Sequence, residues 1–381
     1  MLEFKLPSLG ADMDEGTLLE WKVKPGDPVR KGQVVAVVDT SKAAVDVEIW
    51  FDGVIEELKI PPGERIPVGT VLATLREPGT APTTPASSPP SPASSVPPRI
   101  SPAARKRALE LDVDASRLSG SGPGGAITLA DVEQAAERAK AAPPAPAIVP
   151  APEPPAAQAA RQAEMRKAIA AAMSHSKREI PHYYLAETMP MARAQAWLNA
   201  ANAGRPITGR LLMAVLQLKA VALALDKFPE LNGYYRDGGF QPGSATHIGV
   251  AISLRQGGLI APAIHDVAGK SLEALMNDLT DLVKRTRAGS LRSSELADPT
   301  ITVTNLGEQG VELVHGVIYP PQVALVGFGR VAERAWVENG ALSLIPVVTA
   351  SLAADHRVSD GHRGALFLAE LHRLLQQPES L

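Results

Sequence analysis

The sequence predicts a multidomain protein in which a small all-β sandwich, a small helical unit and a larger α/β domain follow one another along the chain. Its 381 residues exceed what one hydrophobic core usually organises. Two proline-rich segments interrupt the chain, and each stretch between them has its own pattern of apolar residues. The predicted boundaries are 1–76, 77–99, 100–140, 141–160 and 161–381.

The two interruptions have the composition of linkers. Residues 78–98 contain eight prolines and residues 143–155 contain seven, and both segments are poor in large apolar side chains. Such segments bury too little apolar surface to offset the entropy of ordering, and proline keeps them extended. We therefore expect stiff tethers, with a first domain that moves relative to the rest of the chain.

Composition excludes several classes of function. A net charge of -3 and an aromatic content of 4% leave no basic, base-stacking surface, so nucleic acid is not an expected partner. The chain has no cysteine, so any thiol chemistry must come from a cofactor or a substrate. The absence of a targeting segment and of an apolar stretch near 20 residues predicts a cytoplasmic protein without a membrane partner.

The first unit contains an internal repeat. Residues 15–38 realign with residues 52–75 at an offset of 37, which places Gly26 on Gly63. Both copies have the pattern of short alternating strands punctuated by glycine and proline, which predicts a sandwich with pseudo-twofold symmetry. The joint between the copies is a polar hairpin with Lys42 at its tip.

Residues 1–76 resemble a lipoyl domain, in which the lysine of this hairpin carries lipoic acid in amide linkage. The hairpin reads DTSKA here, whereas the commonest turn of that family reads ETDKA. A biotin carrier is the rival interpretation, but its lysine is normally flanked by methionines and Lys42 is not. The resemblance implies lipoic acid on Lys42, on a tethered hairpin that raises the effective concentration of its thiols at distant sites.

Residues 100–140 have the pattern of a helix–loop–helix unit. The first helix is predicted from a Ser-Pro start and an apolar face at Ala104, Ala108 and Leu111. The unit resembles the peripheral-subunit-binding domain of 2-oxo acid dehydrogenase complexes, which implies the E1 decarboxylase and the E3 dihydrolipoamide dehydrogenase as partners. The family usually has arginine where this chain has Ala126, so the choice between E1 and E3 stays open. The basic end suited to an acidic partner surface consists of Arg105, Lys106 and Arg107.

From residue 161 onward, long helical patterns alternate with apolar strands, which predicts an α/β domain. His356, His362 and His372 lack the regular, carboxylate-rich spacing of metal ligands, so no metal site is predicted. Helices are expected near 162–178, 209–227, 271–288 and 361–376, and strands near 246–253, 300–304, 323–328 and 347–352.

The most informative segment of this domain is Asp-His-Arg-Val-Ser-Asp-Gly at residues 355–361. It resembles the active-site motif of dihydrolipoamide acyltransferases, which chloramphenicol acetyltransferase shares, and the resemblance covers essentially all of residues 161–381. The three units also stand in that family's own order, so the chain resembles the E2 component of a 2-oxo acid dehydrogenase complex. Further matching segments are 165–170, 180–184, 259–264, 302–307 and 320–325.

The resemblance assigns chemical roles to three residues. His356 is expected to remove the proton of the coenzyme A thiol, since an imidazole of pKa about 6.5 suits a thiol of pKa about 8.5. Thr304 stands where the family usually has serine, and its hydroxyl is expected to hydrogen-bond the tetrahedral oxyanion. Asp360 is expected to orient the site as an ion-paired residue. The residues that contact coenzyme A stay unassigned.

The resemblance also implies a homotrimer in which His356 of one chain faces Thr304 of the next, and trimers of the family commonly build 24- or 60-subunit cores. We expect acetyl as the transferred group, ahead of a branched-chain acyl group, with succinyl last. A non-catalytic subunit-binding scaffold is disfavoured by intact His356 and Asp360. A free-standing acyltransferase of the chloramphenicol type is disfavoured by the two preceding units.

Overall fold

The computed structural model describes residues 2–7, 13, 15–40, 44–76, 103–104, 107–108, 120–122, 126–134, 155–254, 258–338 and 340–381. Contacts divide the chain into two units, one made of residues 1–80 and 155–381 and the other of residues 81–154. Three predicted site residues, Lys42, Arg105 and Lys106, lie outside the described residues.

The first domain is a sandwich of two antiparallel sheets. One sheet has the order β1-β8-β6-β3, and the other has the order β7-β2-β4-β5. Buried side chains such as Phe4, Leu18, Ile55 and Leu75 fill the space between the sheets. The strands are β1 (Leu2–Lys5), β2 (Glu15–Trp21), β3 (Pro28–Val29), β4 (Val34–Asp39), β5 (Ala44–Glu48), β6 (Gly53–Leu58), β7 (Arg65–Pro67) and β8 (Val71–Arg76).

The internal repeat corresponds to the two halves of this sandwich, as predicted. Strands β2, β3 and β4 of the first copy match β6, β7 and β8 of the second. The copies exchange strands, because β3 pairs with β6 and β7 pairs with β2. Gly26 and Gly63 have φ values of 94° and 93°, a left-handed conformation that glycine adopts without steric cost, which explains why both copies keep the residue.

The unit of residues 81–154 has a small core around its helical residues. Ala104, Ala108, Ile127 and Val132 are buried together, which confirms the predicted apolar face at the two alanines. Its third predicted member, Leu111, lies outside the described residues.

Hydrogen bonds to Asp131 also join the loop of this unit to its second helix. The Asp131 carboxylate accepts hydrogen bonds from the backbone N–H groups of Ser121 at 3.0 Å and Thr128 at 2.8 Å. These bonds favour the charged form, so the pKa of Asp131 lies well below its usual range.

The third domain has six helices among its described residues. Helices α3 and α6 pack against each other, and α4 packs against α3. Their apolar faces share one large core with the sheet of this domain. The helices are α1 (Pro155–Glu179), α2 (Ala192–Asn202), α3 (Met213–Leu225), α4 (Leu272–Ala288), α5 (Ser293–Ala297) and α6 (Gly361–Leu375).

A seven-stranded mixed sheet organises this domain. Its order is β15-β12-β17-β18-β20-β19, and β9 pairs with β20 along the other edge of that strand. Strands β12, β17 and β18 are parallel, whereas β20 runs antiparallel to β18, β19 and β9. The strands are β9 (His182–Pro190), β10 (Gly233–Arg236), β11 (Gly239–Pro242), β12 (Ile248–Val250), β13 (Ile252–Ser253), β14 (Leu259–Ile260), β15 (Ala263–Ile264), β16 (Leu291–Arg292), β17 (Ile301–Asn305), β18 (Ala324–Phe328), β19 (Ala332–Glu338) and β20 (Ala341–Asp355).

The predicted helices and strands of this domain are present with shifted ends, except that the strand expected near 246–253 is divided into β12 of the main sheet and β13, which pairs with β14. The prediction that no apolar stretch approaches 20 residues is wrong, because Ile207–Leu225 is long and apolar enough to cross a membrane by length and composition alone. Helix α3 forms the second part of this apolar stretch, and most of the helix is buried in the core of the domain. The ammonium group of Lys219 within it donates to the carbonyl oxygens of Ala268 at 2.6 Å and Lys270 at 2.7 Å. The stretch is thus a core helix of this fold.

Candidate active site

His356 lies in a tight turn between β20 and α6. Its backbone N–H donates to the carbonyl oxygen of Pro181 at 3.0 Å, and the turn closes with hydrogen bonds from Val358 and Ser359 to the carbonyl oxygen of Asp355. The ring of Tyr183 meets the His356 imidazole edge-on, with the ring centroids 5.3 Å apart. The imidazole itself is exposed, so it is open to a substrate.

An ion pair between a buried carboxylate and a partly exposed guanidinium anchors the start of this turn. Asp355 is fully buried, and the Arg357 guanidinium binds both of its carboxylate oxygens, with Nε at 3.0 Å from Oδ1 and Nη2 at 2.7 Å from Oδ2. The pKa of Arg357 is raised, chiefly by its hydrogen bond to Asp355. The guanidinium also lies over the ring of Tyr235 at 3.9 Å from the centroid. Sequence reasoning missed this pair, although a charged residue on each side of the histidine could have indicated it.

Tyr183 supports the turn from β9. Its hydroxyl shares a 2.8 Å hydrogen bond with Ser359 Oγ, and burial raises the pKa of its phenol. Pro181, two residues before Tyr183, provides the carbonyl oxygen that accepts the hydrogen bond from the backbone N–H of His356. The segment that matched the family at residues 180–184 therefore contributes directly to the placement of the histidine.

Asp360 is the N-cap of α6. Its Oδ1 accepts a hydrogen bond from the backbone N–H of Arg363 at 3.0 Å, and this bond is the main reason that the pKa of Asp360 is lowered. The side chain of Arg363 pairs with Glu230 instead. Among the described residues of this chain, Asp360 therefore acts as a helix cap, and its expected role as an ion-paired, orienting residue stays a prediction.

Thr304 lies near the end of β17, at the opposite end of the sheet from the His356 turn. The side chain is half-buried. Next to it, the Asn305 amide donates to Gln217 Oε1 at 2.8 Å and accepts from the backbone N–H of Gly307 at 2.9 Å. Neutral hydrogen bonds thus fix the strand–turn that carries the Thr304 hydroxyl.

One chain does not bring Thr304 and His356 together. In the sheet, Thr304 is opposite Gly327, which is opposite Ser351, and His356 lies beyond the end of the same strand as Ser351. At about 3.3 Å per residue along a strand and about 4.8 Å between strands, the two Cα atoms are roughly 20 Å apart. Two side chains cannot act on one bond over that distance.

A cleft of about 910 Å³ is lined by residues close in sequence to those that support the His356 turn. Arg178 on α1 lines it three residues before Pro181, and Arg236 lines it next to the tyrosine that stacks on Arg357. His175 and Ser174 contribute further polar groups, and Pro320 and Pro321 form part of the wall. The two guanidinium groups give the cleft positive charge.

Of the predicted basic end of the small helical unit, the structure describes Arg107. Its Nε lies 3.3 Å from Glu133 Oε1, in an ion pair with both side chains about half exposed. For the predicted lipoyl lysine, the flanking strands are described: Asp39 of β4 pairs with Ala44 of β5. Lys42 lies in sequence between these two paired strands, outside the described residues.

Family models match three consecutive parts of the chain. The catalytic-domain model of the 2-oxoacid dehydrogenase acyltransferases matches residues 154–381. The chain belongs to this family. A model described as biotin-requiring enzyme, which covers biotin and lipoyl domains, matches residues 2–75, and an E3-binding-domain model matches residues 98–133.

Relatives of this acyltransferase share its whole length. The dihydrolipoyllysine-residue acetyltransferase component of the pyruvate dehydrogenase complex of Rhizobium meliloti is 32% identical over 99% of this chain and 98% of its own. The corresponding component from Zymomonas mobilis is 30% identical over 99% of this chain and 98% of its own.

Solved structures resemble the catalytic domain. A probable dihydrolipoamide acetyltransferase from Listeria monocytogenes matches with a TM-score of 0.53 at 27% identity, covering 56% of this chain and 92% of its own. The dihydrolipoamide acetyltransferase of Azotobacter vinelandii matches with a TM-score of 0.54 at 25% identity, covering 57% of this chain and 90% of its own.

These findings confirm the predicted class of enzyme. The chain is an acyltransferase of the 2-oxo acid dehydrogenase type, with a lipoyl domain, a subunit-binding domain and a catalytic domain like that of chloramphenicol acetyltransferase. Its cofactor is covalently bound lipoic acid, and its acyl acceptor is coenzyme A.

Proposed function

We propose that this acyltransferase moves an acetyl group from the dihydrolipoyl group on Lys42 to coenzyme A, with His356 as the base, Thr304 as the oxyanion donor and Asp360 as a positioning residue. The acetyl group is supported by two full-length relatives that are named as acetyltransferase components of pyruvate dehydrogenase complexes. A branched-chain acyl group is the alternative. Assaying coenzyme A acylation with acetyl-, branched-acyl- and succinyl-dihydrolipoamide tests the choice, and a preference for either of the last two contradicts it.

The observation that carries the residue roles is a shared spacing. The Azotobacter vinelandii structure was used to investigate the role of a serine, a histidine and an asparagine in the catalytic mechanism of that enzyme. Thr304, His356 and Asp360 stand at the same spacing along this chain. Threonine keeps the hydroxyl of serine, and aspartate, like asparagine, has an oxygen that can cap a helix.

The chemistry of the site follows from these groups. His356 takes the proton of the coenzyme A thiol, and the resulting sulfur anion attacks the carbonyl carbon of the acetyl thioester. Thr304 donates a hydrogen bond to the carbonyl oxygen as it becomes negative. When the carbon–sulfur bond to the lipoyl group breaks, the imidazolium of His356 returns its proton to the departing sulfur. The lipoyl group on Lys42 supplies the acetyl thioester to this site.

The wide separation within one chain supports an active site between subunits. Because Thr304 and His356 lie roughly 20 Å apart in one sheet, a shared site needs His356 from one chain and Thr304 from another. We infer a homotrimer, in which each interface contains one such site. Assembly of trimers into a larger core is part of the same proposal.

Mixed trimers test this arrangement. His356→Ala and Thr304→Ala chains are each expected to keep about 1% or less of the activity when alone. After subunit exchange, some interfaces combine an intact His356 with an intact Thr304, so partial activity should return. No recovered activity in trimers shown by mass spectrometry to be mixed would contradict the shared site. Exchange of each variant with itself is the control.

The cleft of about 910 Å³ is proposed to bind coenzyme A. This substrate carries phosphate groups, and the guanidinium groups of Arg178 and Arg236 line the cleft. Arg178→Ala should raise KM for coenzyme A about tenfold or more with KM for acetyl-dihydrolipoamide unchanged. An equal change in both constants would contradict a coenzyme A site.

Partners and attachment complete the proposal. Residues 98–133 match an E3-binding model, so we infer binding to E3 or E1 through the end that contains Arg105, Lys106 and Arg107, in the cytoplasm. Affinity for E3 should fall as salt rises, since surface charges are screened. Lys42 is the inferred lipoylation site, and Lys42→Ala should abolish the added lipoyl mass on the intact protein.

A further inference from the structure

The lipoyl domain contacts the catalytic domain through an edge strand. Strand β5 is the last strand of its own sheet, and β16 of the catalytic domain continues the sheet next to it. The two strands are parallel, with Leu291 opposite Val45 and Arg292 opposite Asp46. An open strand edge has free N–H and C=O groups, and pairing with another strand satisfies them.

Glu48, at the end of β5, makes the polar contacts of this interface. Its backbone N–H donates to Ser293 Oγ at 3.1 Å, and its carboxylate accepts hydrogen bonds from the hydroxyl and, at 3.4 Å, the backbone N–H of Ser294. The glutamate is 8% exposed. A carboxylate buried to that degree needs such partners, and the catalytic domain supplies them.

An apolar contact accompanies these hydrogen bonds. Leu296 of α5 packs against the core of the lipoyl domain as well as against the core of the catalytic domain. The contact is therefore shared between two cores and does not depend on polar groups alone.

The catalytic side of the contact is held rigidly by its own domain. Glu295, which is 6% exposed, accepts hydrogen bonds from the backbone N–H of Arg292 at 2.9 Å and from Arg285 Nη1 at 2.7 Å. Arg285 lies on α4, so this bridge fixes β16 and the start of α5 to the body of the domain. A rigid edge loses little entropy when it pairs with a strand.

We propose that the segment Leu291–Leu296 is a docking site for the lipoyl domain of the same chain, which binds by strand β5 and Glu48. The paired surface is small, and the linkers keep the domain at a high local concentration, so docking is reversible. Strand β5 begins two residues after Lys42. While docked, the lipoyl domain keeps strand β5 on the catalytic domain and is withheld from other partners. The inference goes beyond the acetyl transfer proposed above and does not depend on it.

Disulfide trapping tests the docking site, because the chain has no cysteine of its own. In a full-length Lys42→Ala background, which lacks lipoyl thiols, Asp46→Cys and Arg292→Cys place one thiol on each of the two paired strands. We expect a rapid disulfide within the chain under mild oxidation. The matched control combines Arg292→Cys with Glu57→Cys, an exposed residue of β6 on the other lipoyl sheet with the same tether.

Equal rates for the two pairs would overturn the proposal, as would a disulfide that forms only between chains. Adding Ser293→Ala and Ser294→Ala should slow formation of the disulfide between the cysteines introduced by Asp46→Cys and Arg292→Cys about tenfold, since hydrogen bonds to Glu48 are lost. An unchanged rate would contradict the role of Glu48. Acylation of coenzyme A by free acetyl-dihydrolipoamide should be the same in each of these cysteine and serine variants as in their Lys42→Ala parent, so that a loss of activity relative to the parent would instead count against the proposed function.

Discussion

The two ends of the catalytic sheet that carry the predicted chemistry are built from different interactions. Charged groups fix the His356 turn: an ion pair between the buried Asp355 and the partly exposed Arg357 flanks the imidazole, and the Asp360 carboxylate caps the following helix. Neutral amides fix the Thr304 end, through Asn305 and Gln217. An oxyanion forms beside Thr304 in the proposed reaction, and neutral supports place no negative charge near it. The base, by contrast, can be positioned by carboxylates because it becomes positive.

The largest expected effect comes from removing the base. His356→Ala should lower kcat about 10²–10⁴-fold, because the coenzyme A thiol then loses its proton acceptor. Steady-state kinetics with free acetyl-dihydrolipoamide measures this loss. Thermal stability should change little, since the imidazole is exposed and its backbone bond to Pro181 remains. A variant that is inactive only because it is unfolded would not support the assignment.

Replacing Arg357, the cation paired with the buried Asp355, is expected mainly to lower the stability of the domain. Arg357→Ala removes the guanidinium from the fully buried Asp355 and leaves it the 2.9 Å hydrogen bond from the backbone N–H of residue 357, and we expect a loss of about 3 kcal/mol in the free energy of unfolding. The matched control is Arg205→Ala. The Arg205 side chain is 30% exposed, close to the 31% of Arg357, but its partner Glu273 is 56% exposed. That change should cost about 1 kcal/mol or less in chemical denaturation.

Two substitutions at Thr304 should distinguish the contribution of its hydroxyl group to kcat from that of its methyl group. Thr304→Ala is expected to lower kcat about 10²-fold, because one oxyanion donor is lost. Thr304→Ser keeps the hydroxyl and should retain most of the activity. Similar kcat values for the alanine and serine variants would show that the hydroxyl does not bind the oxyanion.

The smallest effect is expected at the helix cap. Asp360→Ala should lower the melting temperature slightly near pH 6, whereas Asp360→Asn should be close to neutral there because asparagine caps helices as well as aspartate. The pKa of Asp360 is lowered in the folded state, so its stabilising contribution is present above its ordinary pKa of 3.8 and is lost as pH falls through the folded value. Melting curves between pH 2 and 6 should therefore converge for wild type and Asp360→Ala at the acid end, whereas Asp360→Asn, which does not titrate, should become more stable than wild type there.

Local patterns in the sequence predicted much of the fold. The repeat of residues 15–38 specified the sandwich, and the apolar periodicity specified α3, α4 and α6 to within a few residues. Strand β9 escaped prediction because most of its side chains are only partly buried or exposed, so no apolar alternation marks it.

The site was predicted only in part, since its supporting contacts join residues that are distant in sequence. The resemblance assigned His356, Asp360 and Thr304, but neither the Tyr183–Ser359 hydrogen bond nor the Asn305–Gln217 bond has a local pattern. The helix cap made by Asp360 was not predicted, because the sequence shows the charge of this residue but not the direction of its carboxylate at the start of α6.

The exchange of β3 and β7 between the copies of the lipoyl sandwich affects how this domain tolerates change. Each sheet needs a strand from the other half, so neither half can fold as a closed unit, and the domain is expected to unfold in a single cooperative step. The halves are held together by these strands as well as by the covalent connection at residues 41–43. A chain cut at that connection should therefore keep its fold, and evolution can alter the residues around the modified lysine without undoing the scaffold that presents it.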